Sequence, residues 1–223
     1  MTADGHLINI CFHGVGEPER DLEPGEDRYW VGRDPFLAIL DEVAAWPAVR
    51  ISFDDGNLSD LSVGLPALVD RNLTADFFVL AGRLGEPGSL DAAGVRELRR
   101  HGMAIGTHGM SHRSWRAMDP ATVHDELVVA RERLTAAAGS PVDLAACPLG
   151  RYDRRLLGAL RRLGYTRVFT SDRRPARPGA WLQPRFSVRR GDTPASLRAE
   201  VLARPSRYRR ARLAAVGIAK RLR

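Results

Sequence analysis

A chain of 223 residues with 44% hydrophobic content is long enough for one well-filled core, and no stretch of it approaches the roughly 18 uninterrupted apolar residues of a spanning helix. The net charge of +7 is concentrated in residues 204–223, which hold eight basic side chains and no acid. Residues 1–203 are therefore near neutral, which argues against nucleic acid as a partner for the body of the chain.

The expected division is a single domain over 1–203 and a basic tail over 204–223. The tail places Leu213, Ala214, Val216 and Ile218 between two basic clusters, a composition suited to reversible contact with an anionic membrane surface; a solvated terminus is the alternative. The opening MTADGHLINI lacks the basic start and long apolar run of a secretory signal, so a cytoplasmic protein is expected. Cys11 and Cys147 each sit in an apolar run and read as buried thiols rather than a disulfide.

In chain order, a first strand is predicted over 7–12, followed by a loop over 16–34 rich in charge, Gly and Pro, of a length common in binding lids. A helix is expected over 35–46, with Asp34 as N-cap, Pro35 in the first turn, and Phe36, Ile39, Leu40 and Val43 on one face. Strands follow over 49–53, 75–80 and 103–107. Asp119 and Pro120 begin a long helix that Gly139 and Pro141 end. Strands over 142–147, 166–170 and 186–189 and a last helix after Thr193 and Pro194 complete the pattern. Seven strands alternating with helices make a parallel α/β fold, closed as a barrel or open as a doubly wound sheet; in both, loops at the carboxyl ends of the strands converge on one crevice.

Those ends carry the chemistry. Asp54 and Asp55, in SFDDG, stand where an apolar strand must turn. Neighbouring side chains of an extended chain point apart, which gives one carboxylate to a metal and the other to a water; a turn with a helix cap is the plainer alternative. His108 and His112, in HGMSH, lie four apart, a spacing that puts both imidazoles on one face of a helical turn, though two surface histidines would look the same. Two His and one carboxylate make a three-ligand site with positions left for water, as in a hydrolytic metal centre. Zinc suits such ligands first, with cobalt, nickel and manganese as alternatives.

With these segments, and with CPLGRYDRRLLGALRRLGY after the fifth strand, the sequence resembles the polysaccharide deacetylase family of the NodB homology fold, also called carbohydrate esterase family 4, from about Leu7 to about Arg190. The resemblance implies a distorted seven-stranded (β/α) barrel, with Asp54 as general base and Asp55, His108 and His112 holding the metal. It also implies a backbone N–H facing the oxyanion, here that of Leu149. Two of the family's features are missing. Ala146 stands where an Arg orients the base, and Arg151 or Arg185 is the candidate replacement. No His follows His124 to protonate the leaving amine; His13, at the end of the first strand, is the candidate, or else it packs under the lid. Asp172 is a weak stand-in for the family's fourth-motif acid. Tyr29, Trp30 and Trp115 are candidates for stacking on a sugar, each equally able to anchor the core.

The implied activity is removal of an N-acetyl group from a sugar, expected to be a nucleotide-linked or lipid-linked intermediate of surface polysaccharide synthesis. A metal-dependent amidase for a small non-sugar amide or imide is the alternative enzyme, and a degenerate glycan-binding member the alternative without turnover.

Overall fold

The computed structural model describes residues 6–202. Strands and helices follow one another as β1 (Ile8–Phe12), α1 (Arg33–Ala44), β2 (Val49–Asp55), α2 (Leu65–Val69), β3 (Ala75–Val79), α3 (Ala92–Arg100), β4 (Ala104–Thr107), α4 (Pro120–His124), α5 (Ala130–Ala138), β5 (Leu144–Ala146), α6 (Arg154–Arg162), β6 (Arg167–Thr170), β7 (Leu182–Pro184), β8 (Phe186–Ser187) and α7 (Pro194–Leu202). Every ladder between these strands is parallel, in the order β7-β6-β5-β4-β3-β2-β1-β8.

The two ends of that order are pieces of one extended run. β7 pairs with β6 and β8 pairs with β1, so residues 182–187 bridge the sheet's edges and close it as a barrel. Asn9 fastens the closure: its Nδ2 donates to Gln183 Oε1 and to the Pro184 carbonyl, both at 2.9 Å. The expected seven strands thus become eight because the last stave starts earlier than 186 and is interrupted at Arg185. There the Arg185 N–H donates to the Thr170 carbonyl at 2.8 Å and its own carbonyl accepts from Arg173 N–H.

The strands read as continuous apolar runs because both of their faces are buried, as parallel sheets require. One face packs under the helices, where Ile10, Phe12, Ile51, Phe53 and Phe77 meet Phe36, Ile39 and Leu40. Phe53 stacks on Phe77 with centroids 4.8 Å apart and an interplanar angle of 8°, a pairing that adds about 0.5–1.5 kcal/mol beyond the area it buries. The other face fills the lumen, where Phe78, Leu144, Ala146 and Phe169 form a small floor. Asn9, Ser52 and Asp54 share this inner face with Arg185 and Gln183, as their hydrogen bonds show.

Helix starts follow the sequence signals with one correction. Asp119 caps α4 by accepting from Thr122 N–H. At α1 the cap is Gly32, and Asp34 lies inside the first turn, where its charge still complements the helix dipole. The 204–223 tail lies outside the described residues. Among those described, no helix is long and apolar enough to cross a membrane.

Candidate metal centre and active site

β2 delivers Asp54 and Asp55 together to the carboxyl end of the barrel. The expected alternation does not continue to its end: Asp55 has φ +79°, a left-handed conformation that a non-glycine residue adopts only under constraint, and both carboxylates face the same cavity. His112 (φ +50°) and Leu149 (φ +56°), also on the cavity wall, share this conformation. Each such position costs on the order of 1–3 kcal/mol and persists only where surrounding structure holds it.

Asp55, His108 and His112 form a buried cluster whose potential ligand atoms lie within 4.8 Å of one another. Asp55 Oδ1 is 3.6 Å from Nε2 of each imidazole, too far for a hydrogen bond. Two ligands each about 2.0–2.1 Å from a tetrahedral zinc would be roughly 3.4 Å apart. Both Asp55 oxygens are buried and accept no hydrogen bond among the described residues. Burial opposes the Asp55 charge, and His13, His112 and His108 outweigh it, so its carboxyl is held below the ordinary value. A buried carboxylate left unsatisfied between two imidazoles fits a divalent cation.

The orientation of the two rings is compatible with such a cation. His108 Nδ1 lies 2.9 Å from the Ala146 carbonyl and His112 Nδ1 lies 2.6 Å from Glu23 Oε2. Both partners are acceptors, so each Nδ1 carries the proton and each Nε2 turns its lone pair to Asp55. Burial pushes the His108 pKa down to about 4, against the pull of Asp54 and Asp55, and the ring is neutral at pH 7. The loop carrying the two histidines is held by Glu126, buried in the segment between α4 and α5, which accepts from Met110 N–H, Ser111 N–H, Ser111 Oγ and Trp115 Nε1. Gly109 (φ +88°) permits this: a Cβ there would sit 2.2 Å from Glu126 Oε2.

Asp54 is satisfied by the chain itself. Arg185 Nη1 and Nη2 donate to its two oxygens, both at 2.6 Å, and Nη1 also donates to Ser52 Oγ at 3.1 Å. The guanidinium is wholly buried, 5.2 Å from the centroid of Phe78 and 5.7 Å from that of Phe169. Burial would raise the Asp54 pKa, but Arg185, with His108 adding to it, holds the carboxyl well below the usual range. Of the two candidate arginines it is Arg185 that reaches Asp54, whereas Arg151 stands exposed at the cavity mouth. Cys11, His13 and Asp54 form a second close group, but burial pushes the Cys11 thiol far up and Arg185 already occupies both Asp54 oxygens, so this group does not fit a cation.

His13 lines the cavity, its ring stacked on Tyr29 at 4.8 Å. Leu149 also lines the cavity and is 55% exposed. Two of the aromatic candidates belong elsewhere. Trp115 is 1% exposed and packs with Leu127, Tyr152 and Leu156 beneath the histidine loop. Trp30 is 3% exposed and lies against Gly14, where a Cβ would come within 2.1 Å of its ring. Neither borders the cavity; both are anchors, leaving Tyr29 as the candidate stacking ring. Asp172 accepts from Tyr152 Oη and Thr170 Oγ1, and its neighbour Ser171 faces the cavity in its place. Glu23 and Glu126 carried no local signature, since a Glu in a charged lid and a Glu in a helix are ordinary surface residues by sequence.

Fold and site together define a parallel (β/α) barrel that presents a carboxylate and two imidazoles beside an arginine-paired aspartate. Residues 44–168 match the family model described as "Polysaccharide deacetylase", and the chain belongs to the polysaccharide deacetylase family. The Bacillus subtilis (strain 168) protein YxkH, whose name carries the same family description, is 24% identical over 132 residues, 59% of this chain and 46% of that protein. The chain thus spans about half the length of this curated relative. The Streptococcus pyogenes deacetylase PplD, solved in complex with acetate, superposes with a TM-score of 0.75 at 18% identity, over 90% of this chain and 99% of that one. IcaB from Ammonifex degensii gives a TM-score of 0.72 at 23% identity, over 89% and 98%. At these identities the structural likeness establishes the barrel.

Proposed function

We propose that this protein is a metal-dependent N-deacetylase that hydrolyses the acetamide of an N-acetylated sugar to acetate and a free amine. The observation that carries the reading is the pair of adjacent carboxylates in opposite states, Asp55 unsatisfied between two imidazole Nε2 atoms and Asp54 paired with Arg185. Asp55, His108 and His112 would hold one divalent ion, zinc first by ligand type, with cobalt, nickel and manganese as alternatives. When bound, the ion supplies Lewis-acid activation of water and of the amide carbonyl.

The remaining steps fall to the chain. Asp54 takes the proton of the attacking water; Arg185 keeps it ionised and fixes its orientation from the side away from the cavity. The Leu149 N–H would donate to the developing oxyanion, a role supported by Leu149 lining the cavity. His13 returns a proton to the departing nitrogen, and Tyr29, stacked on the His13 ring and lining the same cavity, is the aromatic residue within reach of the sugar. The substrate proposed is a nucleotide-linked or lipid-linked sugar met in the cytoplasm.

The test is acetate release by purified, metal-analysed protein over a panel of N-acetylated sugars, ureides and cyclic imides. Release from sugars with one divalent ion per chain is expected. Turnover confined to ureides or imides would make the protein an amidase of another kind, and metal binding with no turnover would make it a degenerate member. His13→Ala separates two roles for that ring: a larger loss of rate on amides than on aryl acetates marks a proton donor, and an equal loss on both marks a packing role.

A further inference from the structure

Resting on the deacetylase reading, we propose that the sugar carries a phosphate ester beside the N-acetylated ring, and that Arg28 and Arg151 hold this phosphate at the mouth of the cavity. Four acids line the cavity, Glu23, Glu26, Asp54 and Asp55, and each is already committed. Glu23 is shared between His112 and Arg83. Glu26 pairs with Arg20, which Asn57 also holds. Asp54 pairs with Arg185, and Asp55 belongs to the metal cluster.

The two arginines of the wall have no such commitment. Arg28, on the lid, spends its Nε on the Gly25 carbonyl at 2.9 Å and lies 5.3 Å from the Tyr29 ring centroid, which leaves its terminal nitrogens for other partners. Arg151, two residues past Leu149 on the loop after β5, is exposed. Among the described residues neither stands in an ion pair. They belong to two different segments of the lining, the lid and the loop after β5, and bring positive charge to the cavity that no carboxylate among the described residues pairs.

Size points the same way. The cavity is about 230 Å³, below the roughly 300–1,000 Å³ of most ligand pockets. It accommodates one ring under the lid, with whatever the ring is attached to passing out between the arginines. A neutral glycan would leave both guanidiniums idle, whereas a phosphate matches their planar donor geometry and is drawn in by their charge. A nucleotide diphosphate and a lipid diphosphate share this chemistry.

The experiment compares kcat/KM for acetate release from N-acetylglucosamine, its 1-phosphate, its nucleotide-diphosphate ester and its short-chain alkyl diphosphate ester. Proteins tested are the full chain and the Arg28→Gln, Arg151→Gln and doubly substituted variants. Phosphorylated sugars should be preferred at low salt, and each substitution should lower that preference about tenfold, mainly through KM. The alkyl and nucleotide arms identify the carrier by which adds to the preference of the 1-phosphate. Equal kcat/KM for neutral and phosphorylated sugars, or a preference that survives the double substitution, would overturn the proposal.

A second measurement requires no turnover. Calorimetric titration of metal-loaded Asp54→Asn protein with the sugar 1-phosphate should show binding that the double substitution removes. Binding of that kind with no acetate released from any sugar would sink the deacetylase reading and leave the phosphate site standing; absence of binding would remove the site.

Discussion

Asp54 and Asp55 are neighbours in sequence and in space, yet the barrel treats them oppositely. Asp55 opens toward the loop after β4 and meets two imidazoles at distances that leave it without a hydrogen bond. Asp54 points down into the lumen and receives a cation across 131 residues of chain, from the point where the last stave is interrupted. One carboxylate has a cation built in and the other has none among the described residues. The difference shows how one strand end gives neighbouring carboxylates separate environments: the left-handed turn at Asp55 changes its surroundings, not its chemistry.

The sharpest way to break the comparison is to remove each carboxylate's function in turn. Asp54→Asn should keep the metal and lose roughly 10²- to 10⁴-fold in kcat, because an amide accepts no proton from water. Asp55→Ala, His108→Ala and His112→Ala should lose metal and activity together. Metal analysis beside turnover separates the two patterns, and full metal occupancy in all three of the latter variants would refute the ion site.

Next in size is Arg185→Met. Leaving Asp54 buried without its cation should cost about 3–5 kcal/mol of stability in denaturant unfolding. In the protein that still folds, the Asp54 carboxyl loses the partner that holds its pKa down while burial continues to raise it. The acid limb of kcat/KM should therefore move to higher pH, with little change in metal content. An unmoved limb would reduce Arg185 to a packing residue.

A smaller effect is expected at the lid. Glu23→Gln weakens the acceptor that orients His112, and metal affinity should fall about 10- to 100-fold in competition with a chelator. Glu23 also ties the lid to Arg83, so Arg83→Gln serves as the control for lid position.

The smallest concerns pH. The folded-state pKa of His108 is depressed from its ordinary 6.5 to about 4. Its contribution to the stability of metal-free protein is complete above 6.5 and is lost as pH falls through about 4, with a slope on the order of 1 kcal/mol per pH unit. Urea unfolding of metal-free protein should show this slope, and His108→Gln should flatten it.

Strands alternating with helices announced a parallel α/β fold, whose staves, buried on both faces, have few ways to look different in sequence; closure into a barrel was implied by the family resemblance, since the same pattern suits an open doubly wound sheet. The grouping of Asp55, His108 and His112 was legible for a related reason: they sit in two short segments at strand ends, where spacing limits what they reach. Arg185 was legible only as one of two candidates, since its partner lies across the barrel and no local pattern distinguishes it from Arg151. The early start of the last stave at Leu182 was hidden by its shortness and by Pro184.

Aromatic residues near the motifs could not be sorted without tertiary contacts. Tyr29, Trp30 and Trp115 are equally suited to a sugar face and to a core, and only packing distinguished the ring bordering the cavity from the two beneath it. The roles of Glu23 and Glu126 were likewise outside local reading, because a carboxylate acquires its function from the donor it meets. Sequence alone determined the parallel α/β class through the order of its segments, the barrel through the family resemblance, and the candidate ion ligands through short-range spacing. Which arginine meets Asp54, which carboxylates steer the histidine loop and which charges are left over at the mouth were decided by closure of the barrel, which brings distant segments within hydrogen-bond reach.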